Sequence, residues 1–215
     1  CRRGFRSKAP QPQNVTWSFM LSASQINFER YFEPVFQPVS FDLGSSELLL
    51  ITGANGCGKT TLIRVLAGIL HPTSGEIENR AGQMAYVGHY LGIKDDLSVQ
   101  ENIRFMRNFL GTSKRNCKEV INEVGLTRVA EQQARNLSAG QRKRCALARL
   151  LVSTSKLWLL DEPYSNLDQE GVELVDRLLN RHLESGGACV LATHGAHRPQ
   201  WQGTQNYLLV SGAAA

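Results

Sequence analysis

The sequence contains no long apolar run, and none of its apolar stretches approaches the ~18 residues that a membrane-spanning helix needs. We therefore expect any association with a membrane to come through a partner or a surface patch. Cysteine is scarce, with five residues and no C-x-x-C spacing. This count excludes a disulfide framework and a cysteine zinc site, and it predicts reduced thiols in a cytosolic compartment. The cysteines are Cys1, Cys57, Cys117, Cys145 and Cys189.

Acidic residues are missing from the start of the chain, where the first is Glu29. Residues 1–24 also contain Pro10 and Pro12 and show neither helical nor strand periodicity. We expect a tail that adds nothing to the fold. The alternative is the remnant of an organelle-targeting segment, because the stretch is rich in Arg and Ser, although it lacks amphipathic spacing. With a second short tail at 211–215, this leaves residues 25–210 as the folded domain.

The chain is basic but lacks a continuous basic stripe. Its formal net charge is +5, and much of the excess lies in Arg2, Arg3, Arg6 and Lys8 and in the run 142–144. We therefore expect no nucleic acid partner. The 215 residues, of which 42% are hydrophobic and 20% charged, are enough for a sizeable core and one lobed domain.

Residues 53–60 match the phosphate-binding loop pattern G-x-x-x-x-G-K-[ST] between an apolar run and a helix-like run. Glycines let backbone N–H groups point at phosphate oxygens, and the following helix presents its positive end. Lys59 is predicted to reach the β and γ phosphates, and the Thr60 hydroxyl to ligate Mg²⁺. The chain is thus predicted to bind a nucleoside triphosphate. The predicted ATP-binding residues are Gly53, Ala54, Asn55, Gly56, Cys57, Gly58, Lys59, Thr60 and Thr61.

The order of apolar periodicities predicts an α/β chain with buried parallel strands. Strands are expected at 35–43, 47–52, 84–87, 156–160 and 188–192, with a strand-like pattern beginning near Ile26. Helices are expected at 59–69, 98–109, 114–124 and 169–183. No internal repeat is visible, so we expect one nucleotide-binding unit.

The apolar strand at 157–160 ends in two carboxylates, Asp161 and Glu162. Ligand sites in open α/β sheets lie at the carboxyl ends of strands. Asp161 is therefore predicted to hold Mg²⁺, and Glu162 to polarise the water that attacks the γ-phosphate. The alternative is a strand that ends in a solvated acidic turn.

Three cations follow Ser138 near the start of a predicted helix, at residues 142–144. Ser138 is a good N-cap, but cations lie unfavourably beside the positive end of a helix dipole. Two interpretations remain open on local physics: an anion bound there, or a solvated basic face.

Together these segments resemble ATP-binding cassette (ABC) ATPases. The resemblance covers nearly all of the predicted domain, and it rests on the phosphate loop, LSAGQ (137–141), LWLLDEP (157–163), SNLD (165–168) and Thr193-His194, in this order. It implies an α/β phosphate-loop NTPase with a parallel core sheet, an antiparallel edge sheet and a helical subdomain at about 97–136. It also implies ATP hydrolysis, with ATP and Mg²⁺ as cofactors.

The resemblance further implies a head-to-tail homodimer in which one subunit completes the other's γ-phosphate site. Lys59, Glu162 and His194 would be catalytic, with His194 stabilising the γ-phosphate and the attacking water. Asp168 would couple the two sites. The motif that completes the partner's site would comprise Ser138, Ala139, Gly140 and Gln141.

One departure from the general cassette pattern lies after the strand 84–87, where a glutamine is usual and this chain has Gly88-His89. The loop HYLGIK at 89–94, with LSAGQ, looks like the heme-exporter ATPases of cytochrome c maturation. Histidine titrates near neutral pH and is a poor Mg²⁺ ligand, so His89 is expected to couple to a partner more than to the metal. The alternative is a plain loop histidine.

This resemblance implies an integral membrane partner of the cytochrome c maturation system and delivery or release of heme across the membrane. The chain would lie on the cytoplasmic face of the bacterial inner membrane, or on the matrix side of the mitochondrial one. No Cys-Pro or paired-histidine site suggests that it binds heme itself. The alternatives are the ATPase of another transporter and, with less support, a soluble cassette protein that acts on ribosomes or DNA.

Two expectations concern single side chains. The aromatic that stacks on adenine in such cassettes could be Tyr31 or Phe32, and the sequence does not choose between them. Cys57 lies inside the phosphate loop, so a thiol reagent is expected to block nucleotide binding, with protection by ATP.

Overall fold

A parallel five-stranded sheet lies at the centre of the computed structural model, which describes residues 19–110, 115–194 and 197–212. Among the described residues, none of the helices has the length and apolar character needed to cross a bilayer. The strands are β1 (Phe19–Asn27), β2 (Glu29–Arg30), β3 (Glu33–Pro34), β4 (Val39–Gly44), β5 (Leu48–Thr52), β6 (Ser74–Asn79), β7 (Met84–Val87), β8 (Leu157–Asp161), β9 (Ala188–Ala192) and β10 (Thr204–Leu208). The helices are α1 (Lys59–Leu66), α2 (Val99–Leu110), α3 (Cys117–Glu123), α4 (Ala139–Val152) and α5 (Gln169–Glu184), with 3₁₀ turns at Thr127–Val129 and Ala134–Asn136.

The parallel sheet has the strand order β10-β5-β9-β8-β7, and every neighbouring pair is parallel. Its inner strands β8 and β9 are buried along their whole length, and β5 is buried except at Thr52. Helices cover both faces, which explains why these strands are continuous apolar runs rather than alternating ones. Because the strands are parallel, the segments that follow β5, β8 and β9 leave the sheet at the same edge.

A second sheet, antiparallel and three-stranded, has the order β4-β1-β6 and contains residues that we expected to be a tail. Leu21 pairs with Leu43 on one side and with Asn79 on the other, and its side chain is fully buried. The predicted boundary at residue 24 is therefore wrong, because the strand begins at Phe19. The sequence pattern of this strand was weak because few of its residues are buried. Polar positions and shifts of register separate those that are. Residues 1–18 lie outside the described part of the chain.

The predicted C-terminal tail is wrong in the same way at its first two residues. Ser211 forms a β-bridge with Phe36, and the Gly212 N–H donates to the Val35 carbonyl at 3.2 Å. These bonds extend the fold to residue 212, while 213–215 are not described.

Proline and glycine account for two further differences from the predicted elements. Of the strand expected at 35–43, only the part after Pro38 forms, as β4, because proline cannot donate to a sheet ladder. The helix expected at 59–69 ends at Leu66, and Gly68 follows in the left-handed conformation with φ of 69°. The helix expected at 114–124 spans Cys117–Glu123, with Asn116 as its N-cap; residue 114 is among those not described.

Two hydrophobic cores lie on opposite faces of the parallel sheet. One contains the buried faces of α2, α3, α4 and α5, and the other contains α1 and the antiparallel sheet. The elements at 99–136 pack on α4 through residues such as Ile103, Met106, Val120 and Val124. The predicted helical subdomain thus consists of short helices held against the helix that begins at the LSAGQ motif.

His182 on α5 is a titratable group buried in this core. Its ring stacks on the indole of Trp158, with centroids 3.8 Å apart and planes at 8°, and its Nε2 lies 3.1 Å from the Ala188 carbonyl oxygen. Burial lowers the pKa of His182 from its usual 6.5 to about 4, although the hydrogen bond to Ala188 acts in the opposite direction. The imidazole is therefore neutral in the folded protein near neutral pH.

We predict that His182 makes the fold less stable as the pH falls from about 6.5 to about 4. The unfolded chain takes up the proton in this window and the folded chain does not, so the free energy of unfolding falls by about 3 kcal/mol across it. Urea unfolding at several pH values, compared with a His182→Phe variant that keeps the stacked ring, measures this contribution. An equal pH dependence in the two proteins contradicts it.

Candidate nucleotide-binding site

The phosphate-binding loop connects β5 to α1 and contains two positions where only glycine fits. Gly53 has φ of 151°, and a Cβ there would lie 2.5 Å from the Leu209 carbonyl oxygen. Gly58 has φ of 102°, and a Cβ there would lie 2.9 Å from the Phe36 ring. Because these glycines have no side chain, the loop can pack closely against neighbouring chain segments. The glycines therefore permit both the dihedral angles and the packing of the loop.

Lys59, the first residue of α1, has its ammonium group folded back over the loop. Its Nζ donates hydrogen bonds to the carbonyl oxygens of Gly53 at 2.8 Å and Ala54 at 3.0 Å. The side chain is largely buried. The positive charge is therefore held against the loop that is predicted to bind the phosphates of a nucleotide.

A cleft of about 340 Å³ opens above the loop and brings most of the predicted catalytic and ATP-binding residues together. Glu162 and His194 line it together with the loop residues. Arg30 and Val35 also line it, and sequence reasoning missed them because they belong to an irregular segment without motif or periodicity. The loop residues in the lining are Asn55, Gly56, Gly58, Lys59, Thr60 and Thr61.

Thr60 and Asp161 meet beside this cleft as predicted for a Mg²⁺ site. The Thr60 Oγ1 lies 3.2 Å from Oδ1 of Asp161, and Asp161 is only 1% exposed. Its other oxygen, Oδ2, is buried without a hydrogen-bond partner, and burial raises the pKa of the carboxyl group. A hydroxyl and a carboxylate with one unsatisfied oxygen fit a hard divalent cation, which takes oxygen ligands. These two residues can therefore hold Mg²⁺.

Glu162 follows β8 in the left-handed backbone conformation, with φ of 52°. Its Oε1 lies 2.6 Å from Nδ1 of His194, and its Oε2 lies 3.5 Å from the Thr193 hydroxyl. The His194 side chain is about half exposed. The predicted general base and the predicted γ-phosphate-stabilising histidine are thus in direct contact, although they are far apart in sequence.

The LSAGQ motif forms the N-terminus of α4 through a reciprocal capping box. The Ser138 hydroxyl accepts from the Gln141 N–H at 3.2 Å, and the Gln141 amide oxygen accepts from the Ser138 N–H at 3.0 Å. A Cβ on Gly140 would lie 2.9 Å from the Asn166 carbonyl oxygen, which explains the glycine. Ser138, Gly140 and Gln141 line a separate cavity of about 370 Å³, not the cleft above the phosphate loop.

The three cations after this motif each have a partner within the chain. Arg142 lies 2.6 Å from Asp95, and Arg144 forms an ion pair with Asp168. Lys143 is buried and donates to the Glu162 carbonyl oxygen at 2.8 Å. These side chains do not form a solvated basic face, because carboxylates and a carbonyl from distant segments meet them. A bound anion at this helix end stays a prediction.

Asp168 and His89 flank these motifs. Asp168 caps α5 by accepting from the Gly171 N–H at 2.9 Å, and its hydrogen bond with Arg144 lowers the pKa of its carboxyl group. His89 is exposed and lines a separate cavity of about 160 Å³ together with Asp161 and Glu162. The loop after β7 and the phosphate loop therefore each share a cavity or a contact with these carboxylates.

Three side chains that sequence reasoning missed form a cluster. It connects the segment after Glu162 and the segment after His194 to α5. The Tyr164 hydroxyl donates to Asp176 Oδ1 at 2.7 Å, and His197 Nε2 lies 2.9 Å from Asp176 Oδ2. Tyr164 follows Glu162 and His197 follows His194. No motif connects these residues, so only the fold could show the cluster.

Two single-residue expectations are affected by the structure. The Cys57 thiol packs beneath the loop toward Gly53 and the side chain is 3% exposed, so a reagent does not reach it in this conformation. Its expected labelling therefore requires the loop to open. Tyr31 and Phe32 lie at the turn between β2 and β3, and both are almost fully exposed, so the choice of adenine-stacking residue stays open.

Comparison with known proteins agrees with this geometry. The ABC transporter family profile matches residues 36–165. A relative from Xanthomonas campestris pv. campestris, named cytochrome c biogenesis ATP-binding export protein CcmA, is 48% identical over 83% of this chain and 88% of its own length. The protein of the same name from Chelativorans sp. is 43% identical over 81% of this chain and 91% of its own length.

Solved structures share the fold. An ATP-binding subunit of an ABC transporter superposes with a TM-score of 0.74 over 81% of this chain and 79% of its own, at 22% identity. An inward-facing metal-chelate type ABC transporter superposes with a TM-score of 0.68 over 82% and 73%, at 30% identity. With these matches over most of its length, the chain belongs to the ABC transporter family, in its branch of CcmA ATP-binding export proteins of cytochrome c biogenesis.

Proposed function

We propose that this chain is the ATP-hydrolysing subunit of a membrane ABC complex that serves cytochrome c biogenesis. The observation that carries the proposal is the contact of Glu162 with His194 in the same cleft as the phosphate-binding loop. The names of its relatives supply the biological process, cytochrome c biogenesis and export. Delivery or release of heme is the task we propose, with no heme bound by this chain itself.

Catalysis in this site is expected to depend on positioning and electrostatics. The loop amides and Lys59 bind the phosphates, and Thr60 and Asp161 would hold Mg²⁺, which when bound neutralises phosphate charge. Glu162 accepts the proton of the attacking water, and His194, in contact with Glu162, orients that water and the γ-phosphate. The short contact between them allows the imidazole to hold the carboxylate in place.

The separation of two motifs in one chain supports a head-to-tail dimer. The phosphate loop and the LSAGQ residues line different cavities, and each cavity is open to the outside. A second copy that places its Ser138 and Gly140 over the first copy's phosphate loop closes both at once. The N-terminus of α4 then presents its free N–H groups to the γ-phosphate of the facing subunit.

We predict that Glu162→Gln binds ATP but slows its hydrolysis by about 10²- to 10⁴-fold, because the amide cannot accept the proton of water. ATP then holds the dimer closed, which analytical ultracentrifugation in Mg-ATP shows as a stable dimer. Lys59→Ala is the matched control, since it is expected to lose both binding and dimerisation. A Glu162→Gln protein that binds ATP but stays monomeric contradicts the proposed site.

An apolar groove suggests where the membrane partner docks. It has a volume of about 290 Å³ and lies between α2 and β7, with Tyr86, Met106 and Arg149 among its lining residues. Phe105 and Phe109 stack at 6.0 Å on its rim and are 42% and 77% exposed. Exposed aromatic pairs of this kind mark interaction surfaces.

The groove is physically connected to the catalytic carboxylates. Arg149 donates to the carbonyl oxygens of Tyr86 at 2.8 Å and Leu91 at 3.3 Å, so it holds both ends of the segment that carries His89. His89 in turn lines a cavity that Asp161 and Glu162 also line. A partner segment seated in the groove is thus one loop away from the hydrolysis site.

Affinity purification from native membranes tests the partner. We expect the tagged chain to recover integral membrane subunits of cytochrome c maturation, and Phe109→Asp to lose most of this recovery while still dimerising with ATP. Leu208→Asp, at another exposed apolar position on the opposite edge strand, is the control and is expected to retain it. Recovery of an unrelated permease would make the chain the ATPase of another transporter.

A further inference from the structure

The backbone of Glu162 is held in an unfavourable conformation. A non-glycine residue at φ of 52° costs of order 1 kcal/mol or more and persists only where the surroundings impose it. Its N–H donates to the Ala192 carbonyl at 2.9 Å, which fixes one side of the residue to β9. The other side is fixed through its carbonyl oxygen.

That carbonyl oxygen accepts hydrogen bonds from three donors. Ser165 provides its hydroxyl at 2.9 Å and its N–H at 3.2 Å, and the Lys143 ammonium provides the third at 2.8 Å. The serine bonds are local to the turn. The lysine bond is the one that reaches the carbonyl from another element of the fold.

Lys143 is an unusual choice for this task because its side chain is only 4% exposed. Buried lysines are rare, since removing an ammonium group from water is costly, and burial lowers the pKa of this one. Asp161 and Glu162 are the negative groups that favour its charged form. An apolar residue would fill the same space at less cost, so the ammonium group has a role beyond packing.

The position of Lys143 along α4 connects two parts of the proposed dimeric mechanism. Ser138, little more than one turn away, begins the same helix and belongs to the motif that meets the partner's nucleotide. The Lys143 ammonium ends at the backbone of the residue that activates water in the chain's own site. Any movement of α4 would therefore be transmitted to the Glu162 backbone through this hydrogen bond.

We propose that Lys143 is a positioning residue for ATP hydrolysis. It holds the Glu162 backbone so that the Glu162 carboxylate faces the cleft. It also links this orientation to α4, the helix that begins at the LSAGQ motif. This inference rests on the proposed function. It assigns no contact of Lys143 with nucleotide or water, so the residue acts through Glu162 alone.

The test compares Lys143→Met and Lys143→Arg in the full-length chain, assayed with its membrane complex. Lys143→Met keeps the stem and loses the donor, and we expect kcat to fall about 10-fold while the Kd for ATP changes less than about 2-fold. Lys143→Arg, which keeps the positive charge and the hydrogen-bond donors, is expected to have a kcat within about 3-fold of that of the unsubstituted chain. Ser165→Ala, which removes another donor to the same carbonyl, is expected to lower kcat by a smaller factor and provides a second test if Lys143→Met folds poorly.

A double-mutant cycle separates this proposal from the proposed function. In a Glu162→Gln background, Lys143→Met is expected to cause no further loss of single-turnover rate, because the residue it positions is already disabled. A further 10-fold loss there, or an unchanged kcat in Lys143→Met and Ser165→Ala alike, overturns the role of Lys143. Full activity of Glu162→Gln would instead overturn the proposed function.

Discussion

The parallel pairing of β5, β9 and β8 is the constraint on which the rest of the molecule depends. The hydrogen-bonded register places Thr52, Asp161 and Ala192 at the same edge of the sheet. These strand ends are followed in sequence by the phosphate loop, Glu162 and His194. Three segments distant in sequence therefore converge within hydrogen-bonding distance. A shift of β8 by one residue would turn Asp161 to the other face of the sheet and separate it from Thr60.

Features set by local chemistry could be predicted from the sequence. The phosphate loop, the acids after β8 and the capping serine of α4 each lie within a few residues of the element that positions them, and their spacing is restrictive. The helices at 98–109 and 169–183 were correct to within one residue, because their apolar periodicity and caps agree.

What could not be predicted depends on contacts between distant segments. The cations at 142–144 looked unfavourable beside a helix N-terminus, yet Asp95, the Glu162 carbonyl and Asp168 meet them only in the folded chain. Most of the first strand, before the pattern expected near Ile26, was missed because its buried face is interrupted by shifts of register. The burial of Cys57 reflects a close approach to Gly53 that no pattern reveals.

Taken together, the contacts describe a site in which each motif supports another. The Glu162 carboxylate contacts His194, its carbonyl contacts Lys143, and Lys143 lies on the helix whose N-terminus is proposed to face the partner's nucleotide. We therefore propose that ATP is hydrolysed in composite sites shared by two subunits.

Mixing two inactive variants tests this claim most directly. Lys59→Ala disables the phosphate loop and Ser138→Arg blocks the LSAGQ face, so a head-to-tail heterodimer retains one intact site made from the undamaged half of each subunit. The account predicts negligible ATP hydrolysis by either variant alone and its return on mixing, because only the heterodimer contains an intact site. Full activity of Ser138→Arg alone, or no activity from a mixture in which heterodimers are shown to form, would contradict it.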